Sequence, residues 1–399
     1  MQEKIASHTV HEAIGPDLSA RQTASALSFG VVSLLFAGVL PALLGALIDE
    51  HRLSEQGLAL CAALEALTMG ASTSLAAIVL PPRRLKLIGV ATTLALAALD
   101  FLPIGAGETA VLVCRALAGL CEGVLLWISV GMIARSELPE RWAGVFFVAL
   151  TSAQLVLALA FAFWVIPLGG ADGGFIALGL ATLFGVLGAF YCPDRYGVLP
   201  GSEGAAGSPP LRGWVALFAI LLYVAAGAAV GPFLEPIAHQ AGLNGDIART
   251  AIWVSLAAQI GGGAAATALA GHLRYLTAFV VGSAFFLANW AILADHPPAW
   301  LFVSSNMVAG FFSVFIAPFL VPMTIEADPS RKAAVQNAGA QLLASALGPF
   351  LARFTVSEKD VHGVFILGTS LLLAGLAVIA GLHIVAVRER ARLRTAAPA

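Results

Sequence analysis

Charged side chains are scarce in this 399-residue sequence: Asp, Glu, Lys and Arg supply 11% of it, against 59% apolar residues and a mean hydropathy of +0.91. Soluble domains carry about a quarter of their residues as charges, so the deficit excludes a soluble globular domain. The near-neutral formal net charge of −2 says nothing about nucleic acid, which is not an expected partner. Cysteine is equally thin. Cys61, Cys114, Cys121 and Cys192 have no metal-ligand spacing, and their place in or beside apolar runs argues against a structural disulfide. No H-E-x-x-H, no Walker loop and no G-x-S-x-G occurs, so neither an enzyme nor a bound cofactor or metal is expected. The first 22 residues mix Glu3, Lys4, His8, His11, Glu12, Asp17 and Arg21 with no apolar signal core, and read as a cytoplasmic tail.

What the chain does have is long Leu-, Ala- and Gly-rich runs. Each bilayer crossing takes ~20 helical residues, and the runs place twelve spans at about 23–48, 56–80, 85–106, 108–134, 142–168, 173–192, 213–237, 248–270, 275–294, 298–324, 333–354 and 363–387. With the N-terminus inside, sixteen Lys and Arg fall on the cytoplasmic side. Only Arg52, Arg249, Arg353 and Lys359 fall outside, which leaves Arg115 in the membrane. A miscounted span would scramble that bias, so it supports both the count and an orientation with both termini cytoplasmic. The fold expected is an all-α membrane protein of twelve helices.

The segment 193–212, rich in Pro, Gly and Ser, reads as a flexible cytoplasmic linker. It would separate a six-helix bundle over 23–192 from a second over 213–387, with an Arg-rich tail over 388–399 as an anchor against anionic headgroups. The halves resemble each other. A shift of 190 or 191 positions lays Pro41 on Pro232, Gly70 on Gly261, Arg84 on Arg274, Arg115 on Asn306, Gly119 on Gly310 and Arg141 on Arg331. Parallel six-span halves are one plan of secondary transporters, with a site between the repeats.

Charge inside the spans marks the candidate site, because an ionisable residue at membrane depth costs roughly 2.5–3.5 kcal/mol on an insertion scale unless protein or water surrounds it. Residues 114–123, CRALAGLCEG, put Arg115, Gly119 and Glu122 on one helical stripe with Gly123 beside it. Arg115 offers a planar cationic fork to an anionic substrate or holds a carboxylate. Glu122, near the midplane, is the first candidate proton carrier, and Glu65, at about the depth of Arg115, is a second carrier or the partner of Arg115. In the second half Asn306 replaces Arg115 and keeps only hydrogen bonding. Asn337 and Gln341 face one way on span eleven, and Gln154 and Gln259 are single amides on spans five and eight. As a set with Arg115 they are the candidate substrate-binding residues.

These residues carry a resemblance. R-x-x-x-G-x-x-x-G at Arg115, Gly119 and Gly123 resembles motif B of the major facilitator superfamily, and PERWAG at 139–144 with PSRKAA at 329–334 resembles the paired loops after spans four and ten. The loop between spans two and three, Pro81 to Lys86, keeps that family's basic cluster and lacks its Asp. The G-x-x-x-G-P pattern of many drug:proton antiporters is missing from 143–162. The resemblance implies two pseudo-symmetric bundles rocking about a central site, and a motif B Arg engaged in proton coupling. The expected function is proton-coupled uptake of a small organic anion by a monomeric symporter in a bacterial-type inner membrane, with protons, solute and lipid as its partners. Proton-driven efflux of a lipophilic compound is the alternative.

Overall fold

A computed structural model describes residues 18–200, 207–356 and 361–396; most of the expected N-terminal tail lies outside the described residues. Among the described residues twelve helical rods follow one another. They are α1 (Ala20–Asp49), α2 (Glu55–Val79), α3 (Leu85–Phe101), α4 (Glu108–Ile133), α5 (Pro139–Ala160), α6 (Ile166–Gly188), α7 (Leu211–Gln240), α8 (Gly245–Leu269), α9 (Tyr275–Ala294), α10 (Ala299–Ala327), α11 (Lys332–Ala352) and α12 (Gly363–Ala396). Among the described residues no strand forms, only an isolated bridge between Arg83 and Arg195. Nine helical stretches among the described residues are long and apolar enough to cross a membrane, one of them the 53-residue run Pro139–Tyr191 that holds both α5 and α6. The chain is a multi-pass membrane protein with an all-α fold.

Local chemistry sets the ends and breaks of these rods. Ser19 caps α1 in a reciprocal pair with Gln22, Ser54 caps α2 and Asn244 caps α8, each supplying an oxygen to an otherwise unpaired N–H. Asp328 does the same for α11, accepting from the Ala333 N–H at 2.8 Å. Between α5 and α6 a π-helical turn, Phe161–Val165, precedes Pro167. Proline has no N–H for the regular ladder, and a widened turn absorbs the mismatch. The reversal that follows is made at Gly170, with φ +59°, a conformation that favours glycine.

The chain falls into two compact units, Met1–Glu137 with Ala149–Gly207, and Leu138–Val148 with Ser208–Ala399. The first is cored by Phe36, Val39, Leu43, Leu44, Leu47, Cys61, Val111, Phe161 and Phe175. The second is cored by Ile220, Tyr223, Phe279, Phe302, Phe315, Phe319 and Leu372. The duplication read from the sequence has a packing counterpart. In the first unit Gly119 of α4 presses on α2, where an added Cβ would stand 2.6 Å from the Glu65 carbonyl oxygen; in the second, Gly310 of α10 presses on α8, 2.5 Å from the Ser255 carbonyl oxygen. Helices in lipid gain little from hydrophobic exclusion and associate through such close small-residue contacts.

Two segments differ from their sequence reading. Residues 193–200 are pinned to the first unit rather than free. The Tyr196 N–H donates to the Pro82 carbonyl at 2.9 Å, the Leu85 N–H to the Asp194 carbonyl at 2.9 Å, and the Tyr196 hydroxyl to the Ile128 carbonyl at 2.9 Å. Tyr196 and Leu199 are buried; the Gly, Pro and Ser content of the segment masks these two anchors. The Arg-rich stretch after residue 387 continues α12 to Ala396, with Glu389 paired to Arg212 and Arg390 to Glu326.

Candidate functional site

Helix α4 is the axis of the site. Its glycines at 119 and 123 let it lie directly on α2: a Cβ at 123 would meet the Met69 carbonyl oxygen at 2.5 Å and the Thr73 nitrogen at 2.8 Å. Hydroxyls knit the same seam. Ser72 donates to the Leu120 carbonyl at 2.7 Å, and Thr73 to the Gly123 carbonyl at 3.1 Å. The R-x-x-x-G-x-x-x-G spacing is therefore a packing device that brings Glu65 of α2 alongside Arg115, one helical turn from Gly119.

Around Arg115 the first unit gathers three acids. Arg115 Nη2 donates to Asp100 Oδ1 of α3 at 2.5 Å. Arg115 Nη1 lies 3.7 Å from Glu65 Oε1 and 4.0 Å from Glu122 Oε1. Thr182 of α6 donates to the other Asp100 oxygen at 2.7 Å, and the Phe36 ring of α1 faces the guanidinium at 4.5 Å. Relative exposures of 0% for Arg115, 1% for Asp100, 3% for Glu122 and 7% for Glu65 remove this quartet from lipid and solvent alike. Its groups are unequally satisfied. Asp100 has a close donor on each oxygen, whereas Arg115 Nε, Arg115 Nη1 and Glu65 Oε2 have no hydrogen-bond partner.

The sequence reading set Arg115 and Glu122 on one stripe and offered Glu65 as a second carrier or the partner of Arg115; the structure gathers all three side chains. It missed Asp100 and Thr182. The missed signal is a carboxylate in the apolar run LALAALDF of α3, which charges a membrane span as Glu65 charges α2. The amides are dispersed. Gln154 donates to the Leu34 carbonyl at 2.7 Å, at the break inside α1. Asn306 is buried and donates to the Phe302 carbonyl of its own helix at 2.8 Å. Asn337 and Gln341 share a face of α11 and are hydrogen-bonded to each other at 2.6 Å, while Asn337 Nδ2 and the neighbouring Gln336 Nε2 are buried without partners. Gln259 on α8 is half-buried. Among the described residues, every buried charge within the spans belongs to the first unit.

Two further polar clusters share no residue with the quartet. A depression of about 760 Å³ is lined by Arg52, Ser54, Glu108 and Asp172, where Arg52 clamps Asp172 at 2.7 Å and the Pro103 carbonyl at 2.9 Å. In the second unit Glu326 accepts from Tyr275 at 2.8 Å and Arg390 at 2.6 Å, and lies 2.8 Å from His383 Nδ1. All four cysteines are free thiols.

Comparison with solved structures gives full-length likenesses. The crystal structure of the human organic anion transporter MFSD10 (TETRAN) matches with a TM-score of 0.69 at 14% identity, over 91% of this chain and 100% of that one. A major facilitator superfamily transporter, FucP, in the outward conformation matches at 0.72 and 11% identity, over 91% and 98%; FucP is the E. coli fucose:proton symporter. The proton:xylose symporter XylE, bound to 6-bromo-6-deoxy-D-glucose, matches at 0.65 and 14% identity, over 90% and 94%. No family profile and no curated sequence matches the chain.

Proposed function

We propose that this chain, which has the fold of the major facilitator transporters, is a secondary active transporter of a small organic solute, coupled to protons and working by alternating access. Glu65 and Glu122 are the proton carriers, and the solute is an organic anion of carboxylate type taken up with the proton. One observation carries the reading: three carboxyl groups share one guanidinium in an enclosed apolar bundle. With every acid ionised the quartet holds two uncompensated negative charges, and burial of an unpaired ion costs several kcal/mol. Protons on Glu65 and Glu122 bring it to neutrality, so the bundle has one electrostatic state with protons and another without them.

The same charge ties solute to proton. A negative charge repels an anion 10 Å away by roughly 1.7 kcal/mol at an effective dielectric of 20. Proton binding to the quartet removes that repulsion, and anion and proton enter together. Arg115 acts through the charge of its cluster, being wholly buried. Asn306, Asn337, Gln341 and Gln259 are the proposed polar contacts to the solute. That MFSD10 is an organic anion transporter, and FucP and XylE are proton symporters, supports the two parts of the reading. We place the chain in the inner membrane as a monomer with both termini cytoplasmic and two six-helix halves joined by the segment at 193–212. A second reading, proton-driven efflux of a lipophilic cation, draws on the same excess of acid over base.

The test is accumulation of labelled carboxylates by proteoliposomes under an inward proton gradient. Wild-type protein is expected to concentrate the solute with acidification of the lumen, and Glu122→Gln to exchange solute without concentrating it. Undiminished accumulation by Glu122→Gln removes Glu122 from coupling. Extrusion of cationic dyes with no carboxylate uptake favours the second reading.

A further inference from the structure

The three acids around Arg115 differ in how they are held, and the difference assigns them different work. Asp100 is closed on both sides, by Arg115 Nη2 at 2.5 Å and by the Thr182 hydroxyl at 2.7 Å. A carboxylate whose two oxygens each accept a close hydrogen bond is favoured in its charged form, the more so when one donor is a guanidinium. Glu65 and Glu122 are held only at 3.7 and 4.0 Å, beyond hydrogen-bonding distance, and Glu65 Oε2 faces no donor. Arg115 Nη2, the nitrogen turned from the glutamates, is the one Asp100 grips, which leaves Nη1 facing both glutamates.

We infer that Asp100, fixed by Thr182, is the permanent counter-ion that positions Arg115, and that exchangeable protons reside on Glu65 and Glu122 alone. Asp100 is a positioning residue: it stays ionised through the cycle, neutralises half of the guanidinium fork and aims the other half at the titrating pair. The Thr182 hydroxyl joins α6 to α3 and keeps Asp100 from swinging toward the glutamates. The inference rests on the proton-coupling reading above, but its first test needs no transport.

That test is an infrared pH titration of the purified protein, following the absorption of protonated carboxyl groups. Glu65→Gln and Glu122→Gln are each expected to remove part of the signal that titrates in wild type, and Asp100→Asn to remove none. Asp100→Asn is also expected to shift the remaining signal toward lower pH by about one unit, a tenfold change in proton affinity, because the freed guanidinium then faces both glutamates. Thr182→Ala, which frees the Asp100 carboxylate to approach the glutamates, should produce a smaller shift toward higher pH, and Thr182→Ser should restore the wild-type profile; this pair keeps the test open if Asp100→Asn does not fold. Loss of a titrating carboxyl in Asp100→Asn, or unmoved profiles in both Asp100→Asn and Thr182→Ala, overturns the inference. If the infrared pattern holds while wild-type liposomes move no solute, the transport reading fails and the positioning role stands.

Discussion

Gly119 of α4 and Glu65 of α2 touch through their backbones: a Cβ at 119 would stand 2.6 Å from the Glu65 carbonyl oxygen and press on the Thr68 hydroxyl. That contact fixes how near the Glu65 side chain comes to Arg115, so packing and electrostatics of the site meet at a residue with no side chain.

Gly119→Val is therefore expected to force α4 from α2. Overpacking of a close contact costs typically 1–3 kcal/mol, and here it also lengthens a Glu65–Arg115 separation already at 3.7 Å. The expected outcome is a lower thermal midpoint in detergent together with loss of concentrative uptake. Gly45→Ala serves as the control, since a Cβ at that glycine meets nothing within 4 Å. A Gly119→Val protein as stable and active as wild type would remove the seam from the account.

Arg115→Ala leaves Asp100, Glu65 and Glu122 buried without a cation. Removing one partner of a buried pair costs about 3–5 kcal/mol, and the sign of its pH dependence follows from linkage. The altered bundle can be neutral only by holding protons that an unfolded chain releases, so its stability falls as pH rises. Thermal unfolding of Arg115→Ala should approach wild type at pH 5 and fall far below it at pH 8. Arg115→Lys, a point charge without a fork, should keep more stability than alanine and lose proton-coupled accumulation. A deficit independent of pH would mean that the acids do not sense the guanidinium.

Gln154 separates a helix-bracing amide from a substrate contact. Its side chain donates to the Leu34 carbonyl at the break in α1 and lies against Gly38. Gln154→Ala should cost about 1 kcal/mol of stability, the worth of one hydrogen bond, with solute affinity unchanged in a binding assay. A large affinity loss at unchanged stability would return Gln154 to the substrate site.

How far the sequence could be read follows from what each signal encodes. The rods are legible because apolar length is itself the constraint on crossing a bilayer, and most of their ends lie within a few residues of expectation. The expected span 85–106 stops at Phe101, ahead of Pro103 and Gly105. Arg115 and Glu122 are legible because seven residues on one helix have a fixed geometry. The Arg115–Asp100 bond, between α3 and α4, is not, because helical periodicity gives no rotation of one helix against another. Thr182 is less legible still, a hydroxyl being unremarkable in a span until a carboxylate is seen beside it. Tyr196 was hidden by the composition of its neighbours.

The two fastenings of α12 should respond differently to loss of an acid. Arg212 and Glu389 meet through two short hydrogen bonds, at 2.6 and 2.5 Å, yet their side chains are 51% and 47% exposed; water and salt screen such a pair. Glu326 is 19% exposed and gathers the Tyr275 hydroxyl, His383 Nδ1 and the Arg390 guanidinium on its two oxygens. Its carboxyl is flanked by α9 on one side and α12 on the other, so its loss unpairs groups on both helices. Glu326→Gln should lower the thermal midpoint and speed amide hydrogen exchange along 383–392, while Glu389→Gln should leave the midpoint unchanged within error and show no added sensitivity to 0.5 M salt. Equal effects from the two substitutions would mean that burial does not set the strength of these contacts, and that the end of α12 is held by its apolar face alone.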